Sequence, residues 1–224
     1  MITVSKEDYL KAVLEAESEG VNVISATLAH WLNVSPPAVT MALRRLKRDG
    51  WVQVRADGRV QLTAAGRQIA KRTIDRHYLI ERMLSEVFGM EWYKVHDEAE
   101  RLEHAVSADF EAKLAKKLGR KRKCPHGNEA TPVDPAARRK RGLHTLSEAQ
   151  PGAYSVESVY ERDRKLLEFL EERGMRPGAA LRLVARNYDQ TLTLKTAAGT
   201  VSVGQPVAEK VWVSGIRAKA AVHR

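Results

Sequence analysis

The sequence predicts a mainly α-helical chain with small β parts, arranged as an N-terminal winged helix-turn-helix, a helical middle region and a C-terminal small β-barrel. Three observations predict this fold class. Three helical patterns and a hairpin pattern occupy residues 4–62, helical periodicity dominates residues 64–118, and short runs of alternating apolar and polar residues fill 180–214. A chain of 224 residues also exceeds the size of one typical domain.

Composition narrows the class of protein. Hydrophobic residues make up 43% of the chain, enough to build folded cores, and the net charge of +10 favours a polyanionic partner such as DNA or RNA. Cys124 is the single cysteine, so an intrachain disulfide is excluded. Neither a long apolar run nor a signal peptide is present, so a cytoplasmic protein without a membrane partner is expected.

The N-terminal helices have clear boundaries. Helical patterns cover residues 4–17 and 25–32, and a tight break separates them from a third helix. Ser35 suits the N-cap of that helix, Pro36 suits its first position, and Gly50 ends it.

The stretch WVQVRADGRVQLT alternates apolar and polar residues about Asp57-Gly58, which predicts a β-hairpin. Thr63 then caps a long helix that runs to about Gly89. Helix, helix, break, helix and hairpin is the order of a winged helix-turn-helix.

A recognition helix places its N-terminal residues against base edges in the major groove of DNA. In this chain those residues are Ser35, Pro36, Pro37, Ala38, Thr40 and Met41. Basic residues placed for phosphate contacts follow on the helix and the wing, namely Arg44, Arg45, Lys47, Arg55 and Arg59. The helix start has few bidentate base readers, which predicts modest direct readout, assisted by dimer spacing and DNA shape. The alternative is that Ser35 only caps the helix and that the arginines only form its solvent-exposed face.

A stripe of metal-ligating side chains lies in KVHDEAERLEHAVS, predicted to be a helix over 94–107 and followed by a second helix over 108–118. Helical spacing places His96, Glu100, Glu103 and His104 in one stripe, and on the upstream helix it places His77 and Glu81 on a shared face. Imidazole and carboxylate donors without a thiolate favour manganese or ferrous iron among the first-row divalent ions. Taken singly, Glu100 and Glu103 could instead pair with Arg101 or Lys94, but clustered carboxylates repel one another unless a cation or several basic groups neutralise them.

The C-terminal half begins with a change of composition. Residues 119–152 contain basic clusters, prolines and glycines, which predicts a loop or linker. Cys124 and His126 lack a second ligand pair, so they are assigned to this loop rather than to a zinc site. A helix is predicted over 156–174, and four strand-like runs after it complete the small barrel.

Three motifs in combination, RHYLIERML, KVHDEAERLEH and CPHGN, make the chain resemble metal-dependent repressors of the diphtheria-toxin-repressor and manganese-transport-regulator type over nearly its whole length. The resemblance implies a winged helix-turn-helix DNA-binding domain at 1–72 and a helical dimerisation and metal-binding domain at 73–145, with a basic loop or linker at 119–152. It further implies that residues 153–224 form an SH3-like domain.

The resemblance also implies two metal sites. The primary site would comprise Asp8, Glu100, Glu103 and His104, and the ancillary site would comprise His77, Glu81, His96 and Glu161. The oxygen ligands at Asp8 and Glu100 look like those of the manganese branch. Lys11 departs from the pattern, because two-domain members of that branch carry a carboxylate there. Arg164 departs too, since some relatives place a glutamine ligand at that position.

The implied function is a divalent-metal-responsive transcriptional regulator that uses Mn²⁺, with Fe²⁺ or other first-row ions as alternatives. It would bind a double-stranded DNA operator as a homodimer and control metal-homeostasis genes, without a membrane partner, a small-molecule substrate or catalytic residues. One rival is a winged-helix regulator of an organic ligand, in which the acidic stripe is structural. A metalloenzyme is a weaker rival, because the chain shows neither a nucleophile motif nor a phosphate-cradling glycine loop.

Overall fold

A computed structural model describes residues 4–119, 123–129 and 131–216. These residues form two compact units. The first unit is built from described residues within Met1–Met83, Ala99–Arg122 and Glu129–Pro135, and the second from those within Leu84–Glu98, Lys123–Asn128 and Ala136–Arg224. Within the described ranges, every helix is too short or too polar to span a lipid bilayer.

The first unit starts with the predicted winged helix-turn-helix. Its elements are α1 (Val4–Ser18), α2 (Ser25–Trp31), α3 (Pro36–Arg48), β1 (Val52–Val54) and β2 (Val60–Leu62). The Ser35 hydroxyl accepts a hydrogen bond from the backbone N–H of Ala38 at 3.4 Å, which confirms the predicted N-cap. The two strands pair antiparallel around the Asp57-Gly58 turn. Leu10, Leu28 and Leu46 are buried in this part of the unit.

A long helix, α4 (Ala64–Arg82), leads away from the wing and continues as a π-helical turn over Met83–Val87. Thr63 caps α4 by accepting a hydrogen bond from the backbone N–H of Gly66 at 3.1 Å. A β-carbon at Gly66 would overlap the carbonyl group of Trp51, so only glycine lets the helix start this close to the hairpin.

The next helix, α5 (Val95–Leu102), is shorter than the helix predicted over 94–107. Glu103 and His104 lie in the turn that follows it, so the four-residue stripe predicted on one helix face is wrong in that part. The chain turns between α5 and α6 (Ala108–Leu118), and Ser107 caps α6 by accepting a hydrogen bond from the backbone N–H of Phe110. The backbone N–H of Glu103 still donates to the Ala99 carbonyl at 2.9 Å, so the helical hydrogen bonding of α5 reaches Glu103 before the chain turns.

The second unit contains a six-stranded antiparallel sheet in the order β3-β8-β4-β5-β6-β7. Its strands are β3 (Leu143–Thr145), β4 (Gly152–Val159), β5 (Ala180–Arg186), β6 (Leu192–Thr196), β7 (Gly199–Val203) and β8 (Val211–Gly215). Three helices accompany the strands along the chain, namely α7 (Pro135–Lys140), α8 (Arg164–Glu172) and α9 (Gln205–Ala208). Leu167 and Leu170 of α8 are fully buried in the same apolar core as Leu183 and Leu194 of the sheet.

Two secondary-structure predictions for the second half of the chain have the wrong boundaries. The first part of the helix predicted over 156–174 belongs to strand β4, where Tyr154, Val156 and Ser158 alternate as buried residues. The helix begins only after Asp163, whose carboxylate caps α8. The segment 119–152, predicted to be a loop or linker, includes α7 and β3.

Candidate metal centre and nucleic-acid interface

Three of the four predicted primary ligands meet at one point in the first unit. The His104 Nε2 atom lies 2.7 Å from the Asp8 Oδ1 atom and 3.3 Å from the Glu103 Oε1 atom. One donor atom from each of these residues lies within 4.8 Å of the others. Asp8 comes from α1, whereas Glu103 and His104 come from the turn after α5. The cluster therefore joins two distant segments with one nitrogen and two carboxylate donors.

The fourth predicted ligand, Glu100, pairs with a buried lysine. The Lys11 Nζ atom lies 2.9 Å from the Glu100 Oε1 atom, and 3.0 Å and 2.9 Å from the two carboxylate oxygens of Glu103. Lys11 is thus a basic partner of both glutamates, whereas Lys94 pairs with Glu91 at 2.8 Å. Lys11 is 2% exposed, so its ammonium group lies inside the cluster and not on the surface.

His77 extends the same network on its buried side. Its Nδ1 atom lies 2.7 Å from the Glu103 Oε2 atom and 3.1 Å from the Lys11 Nζ atom, and its Nε2 atom lies 3.0 Å from the Glu81 Oε1 atom. Burial and the Lys11 charge oppose protonation of the imidazole, but Glu81 and Glu103 outweigh them and raise the pKa of His77 to about 9. A protonated ring donates from both nitrogens, which suits a position between two carboxylates.

The pKa values of the two predicted acidic ligands, Asp8 and Glu103, shift in opposite directions. Burial raises the pKa of Asp8 against the opposing attraction of His104. Burial also disfavours the charged form of Glu103, but hydrogen bonding to His77 and the charge of Lys11 prevail and lower its pKa. Glu103 is therefore held as a carboxylate, the form that ligates a metal ion.

Glu7 is a residue of this cluster that the sequence reasoning missed. Its Oε2 atom lies 3.2 Å from the His104 Nδ1 atom, opposite the nitrogen that faces Asp8. A carboxylate on the second ring nitrogen fixes the orientation and tautomer of a ligating histidine. The signal was weak, because neighbouring helical positions such as Glu7 and Asp8 do not share a face.

The predicted ancillary set is divided between the two units. His77 and Glu81 belong to the first unit, and His96 and Glu161 belong to the second. Within the second unit, Glu161 lies in the loop between β4 and α8, and its Oε2 atom lies 3.3 Å from the Cys124 sulfur and 3.5 Å from the His126 Nδ1 atom. Arg164 is instead paired with Glu168 at 2.9 Å.

Cys124 and His126, assigned to a loop from the sequence, are buried beside Glu161. One donor atom from each of these three residues lies within 4.8 Å of the others, so a thiol, an imidazole and a carboxylate converge. Gly127 makes the turn possible, since its φ of 82° and its contact with the backbone of Glu157 exclude a side chain. The Asn128 amide donates to the Glu161 Oε2 atom at 2.7 Å and fixes that carboxylate. The Cys-Pro-His spacing next to a tight glycine turn was the available signal.

The predicted DNA-contacting residues all lie on the exposed side of the winged helix-turn-helix. They are Ser35, Pro36, Pro37, Ala38, Thr40, Met41, Arg44, Arg45, Lys47, Arg55 and Arg59. Val39, Leu43 and Leu46 form the opposite, buried face of α3. On the wing, the guanidinium group of Arg59 pairs with the Asp57 carboxylate at 2.6 Å, which partly neutralises its charge. The surface of α3 thus presents small side chains at its start and basic ones along its length.

A winged helix with an exposed basic recognition helix, in the same unit as a partly buried cluster of nitrogen and oxygen donors, is the arrangement expected of DNA-binding regulators with a metal centre. Comparison with known families agrees with this class. Residues 1–60 match the family "Iron dependent repressor, N-terminal DNA binding domain", and residues 63–132 match "Iron dependent repressor, metal binding and dimerisation domain". Residues 144–215 match the FeoA domain, an SH3-like fold.

Individual relatives cover most of the chain. The diphtheria toxin repressor of Corynebacterium diphtheriae is 35% identical over 160 residues, which are 71% of this chain and 69% of that protein. The diphtheria toxin repressor of Corynebacterium jeikeium is 32% identical over 202 residues, 80% of this chain and 84% of its own length. A solved manganese-dependent transcriptional repressor in complex with manganese has a TM-score of 0.82 and 31% identity, covering 94% of this chain and all of that one.

The chain therefore belongs to the diphtheria-toxin-repressor and manganese-transport-regulator family of metal-dependent repressors. It is a metal-responsive, DNA-binding transcriptional regulator. The family consists of DNA-binding repressors and not of enzymes, which excludes the metalloenzyme interpretation.

Proposed function

We propose that this regulator binds Mn²⁺, with Fe²⁺ as the alternative, through Asp8, Glu103 and His104, and that Glu100 completes the primary site. We further infer that the metal-loaded homodimer binds a double-stranded DNA operator and controls metal-homeostasis genes. The observation that carries the proposal is the 2.7 Å approach of His104 to Asp8, which brings a residue of α1 against the turn after α5.

The donor set fits these ions. Carboxylate oxygens and imidazole nitrogen suit manganese and ferrous iron, and the absence of a thiolate among Asp8, Glu100, Glu103 and His104 disfavours a soft-ligand site. A bound divalent ion would supply positive charge and fixed ligand directions at this point. The thiol, imidazole and carboxylate of Cys124, His126 and Glu161 suit an additional ion in the second unit. We keep His77, Glu81 and His96 as proposed ancillary metal ligands.

The coupling to DNA follows from where the ligands are attached. Asp8 lies on α1, which packs on α4 and on the other two helices of the winged helix-turn-helix. Holding Asp8 to Glu103 and His104 fixes α1, and with it the orientation of α3 relative to the turn after α5. A two-fold dimer needs its recognition helices about 34 Å apart to read two half-sites. By linkage, an ion that favours this arrangement also binds it more tightly.

Several features support the homodimer. One matching family is described as a metal-binding and dimerisation domain. Val87 and Phe88 of the second unit are 45% and 69% exposed, and we infer that these neighbouring apolar side chains belong to the surface that a second copy covers. The domain boundaries proposed for the dimer subunits are 1–72, 73–145 and 153–224.

The test is an anisotropy titration of a labelled duplex, selected from a random pool by the Mn²⁺-loaded protein, with Mn²⁺, anaerobic Fe²⁺ or Mg²⁺. Asp8→Ala is the test variant. Its control is Glu17→Ala, which removes another acidic residue of α1, one that pairs with Arg67 of α4. We expect Glu17→Ala to keep the metal dependence and Asp8→Ala to lose it. Equally tight binding by Asp8→Ala with and without Mn²⁺ would refute the proposal. Unchanged metal dependence in a Glu103→Ala, His104→Ala double variant would favour a regulator of another ligand.

A further inference from the structure

Lys11 is a buried positive charge at the centre of the acidic cluster. It lies three residues after Asp8 and four before Glu15, so the three side chains share one face of α1. Its ammonium group bonds to Glu100 and to both oxygens of Glu103, and it is 2% exposed. A lysine this deeply buried is rare unless its charge is paired.

The surrounding charges explain why a cation is needed at this position. Glu15, Glu100 and Glu103 all interact electrostatically with the Lys11 ammonium. Two of them, Glu15 and Glu103, are buried, and carboxylates removed from water repel one another strongly unless a positive charge lies among them. Lys11 therefore supplies, from the chain itself, part of the neutralisation that a metal ion would give.

The same contacts place Lys11 in competition with a metal ion. The Glu103 Oε1 atom, which lies 3.3 Å from the His104 Nε2 atom, also accepts a hydrogen bond from Lys11 at 3.0 Å. Glu100 is likewise bonded to Lys11. A cation that binds these carboxylates must share them with a fixed positive charge, and like charges at such range repel.

We propose that Lys11 is an internal cation that competes with the divalent ion for Glu100 and Glu103 and so raises the metal concentration at which the regulator responds. This inference rests on the proposed function, since it concerns the affinity of the Asp8, Glu103 and His104 site. It differs from a purely structural role for Lys11, because a lysine that only stabilises the fold would not weaken metal binding.

The experiment measures Mn²⁺ affinity of the full chain by competition with a fluorescent chelator. Lys11→Met removes the charge with similar length, Lys11→Arg keeps it, and Lys6→Met removes a charge on the same helix that pairs with Asp49 instead. We expect Lys11→Met to bind Mn²⁺ at least about tenfold more tightly, because the fixed repulsive charge is gone. We expect Lys6→Met and Lys11→Arg to stay within about twofold of wild type, because neither removes the charge from the cluster.

A double-mutant comparison separates the two levels of the argument. The gain in Mn²⁺ affinity from Lys11→Met should vanish in an Asp8→Ala background, since Asp8→Ala removes a ligand of the site at which Lys11 competes. If Asp8→Ala leaves Mn²⁺ affinity of the otherwise wild-type chain unchanged, the proposed function fails. If that affinity depends on Asp8 but folded Lys11→Met binds Mn²⁺ no more tightly than wild type, the Lys11 inference alone is overturned.

A measurement on the chain with Lys11 intact covers the case in which Lys11→Met does not fold without metal. The ¹⁵N signal of the Lys11 ammonium, identified by its loss in Lys11→Arg, is followed during Zn²⁺ addition in a Cys124→Ala background. We expect the signal to shift in proportion to the first ion bound, because Lys11 must then share Glu100 and Glu103 with that ion. A signal that stays in place through saturation would overturn the inference.

Discussion

The buried His77 should make the stability of the metal-free first unit depend on alkaline pH. Its pKa is raised from 6.5 to about 9 in the folded chain, so protonation of His77 stabilises the fold. That stabilisation is fully present below pH 6.5 and is lost as the pH rises through about 9. At 1.36 kcal/mol for each pKa unit, it amounts to about 3 kcal/mol.

The assay is hydrogen exchange of the α4 backbone amides in the presence of a chelator, corrected for intrinsic exchange rates, from pH 6 to pH 10. Wild-type protection should fall by about 3 kcal/mol over this window, because the imidazolium between Glu81 and Glu103 is discharged. His77→Gln, which cannot gain the proton, is the matched variant and should lack this fall. The same pH dependence in both proteins would refute the assignment of the charge to His77.

Two other consequences concern the DNA-binding surface and the packing beneath it. Arg44→Gln should reduce the slope of log affinity against log salt concentration by about 1.8 for a dimer, because one phosphate contact is lost from each protomer. The control is Lys113→Gln, which removes an exposed lysine of α6 paired with Asp109 and should leave this slope unchanged. Gly66→Ala should destabilise the first unit by about 1–3 kcal/mol in urea unfolding, because the new β-carbon overlaps the carbonyl of Trp51. Gly215→Ala, where a β-carbon meets open space, is the control, and equal stability of the two variants would contradict the packing argument.

The N-terminal fold could be predicted because its boundaries are set by local chemistry. Ser35, Pro36 and Gly50 delimit α3, and Asp57-Gly58 turns the hairpin, through preferences that act within a few residues. Strand β4 was missed because VESVYERD also suits a helix locally. Pairing with β5 and β8, more than twenty residues further along the chain, decides its conformation, and such partners are invisible to a local pattern.

The candidate site shows the same division between local and long-range information. Asp8, Glu103 and His104 were grouped by family resemblance, but helical periodicity wrongly kept Glu103 and His104 on the helix of Glu100. A local pattern predicts only a loop at Cys124 and His126, because their third neighbour, Glu161, lies 37 residues beyond Cys124. The sequence shows Lys11 only as a departure from the family pattern, since its partners Glu100 and Glu103 lie 89 and 92 residues away.

The most direct test of the account is the anomalous scattering of manganese in crystals of the full chain grown with Mn²⁺. The account predicts an anomalous peak within bonding distance, about 2.2 Å, of oxygens of Asp8 and Glu103 and a nitrogen of His104. A saturated crystal with no peak between α1 and the turn after α5 would contradict the claim that an ion fastens these two segments together.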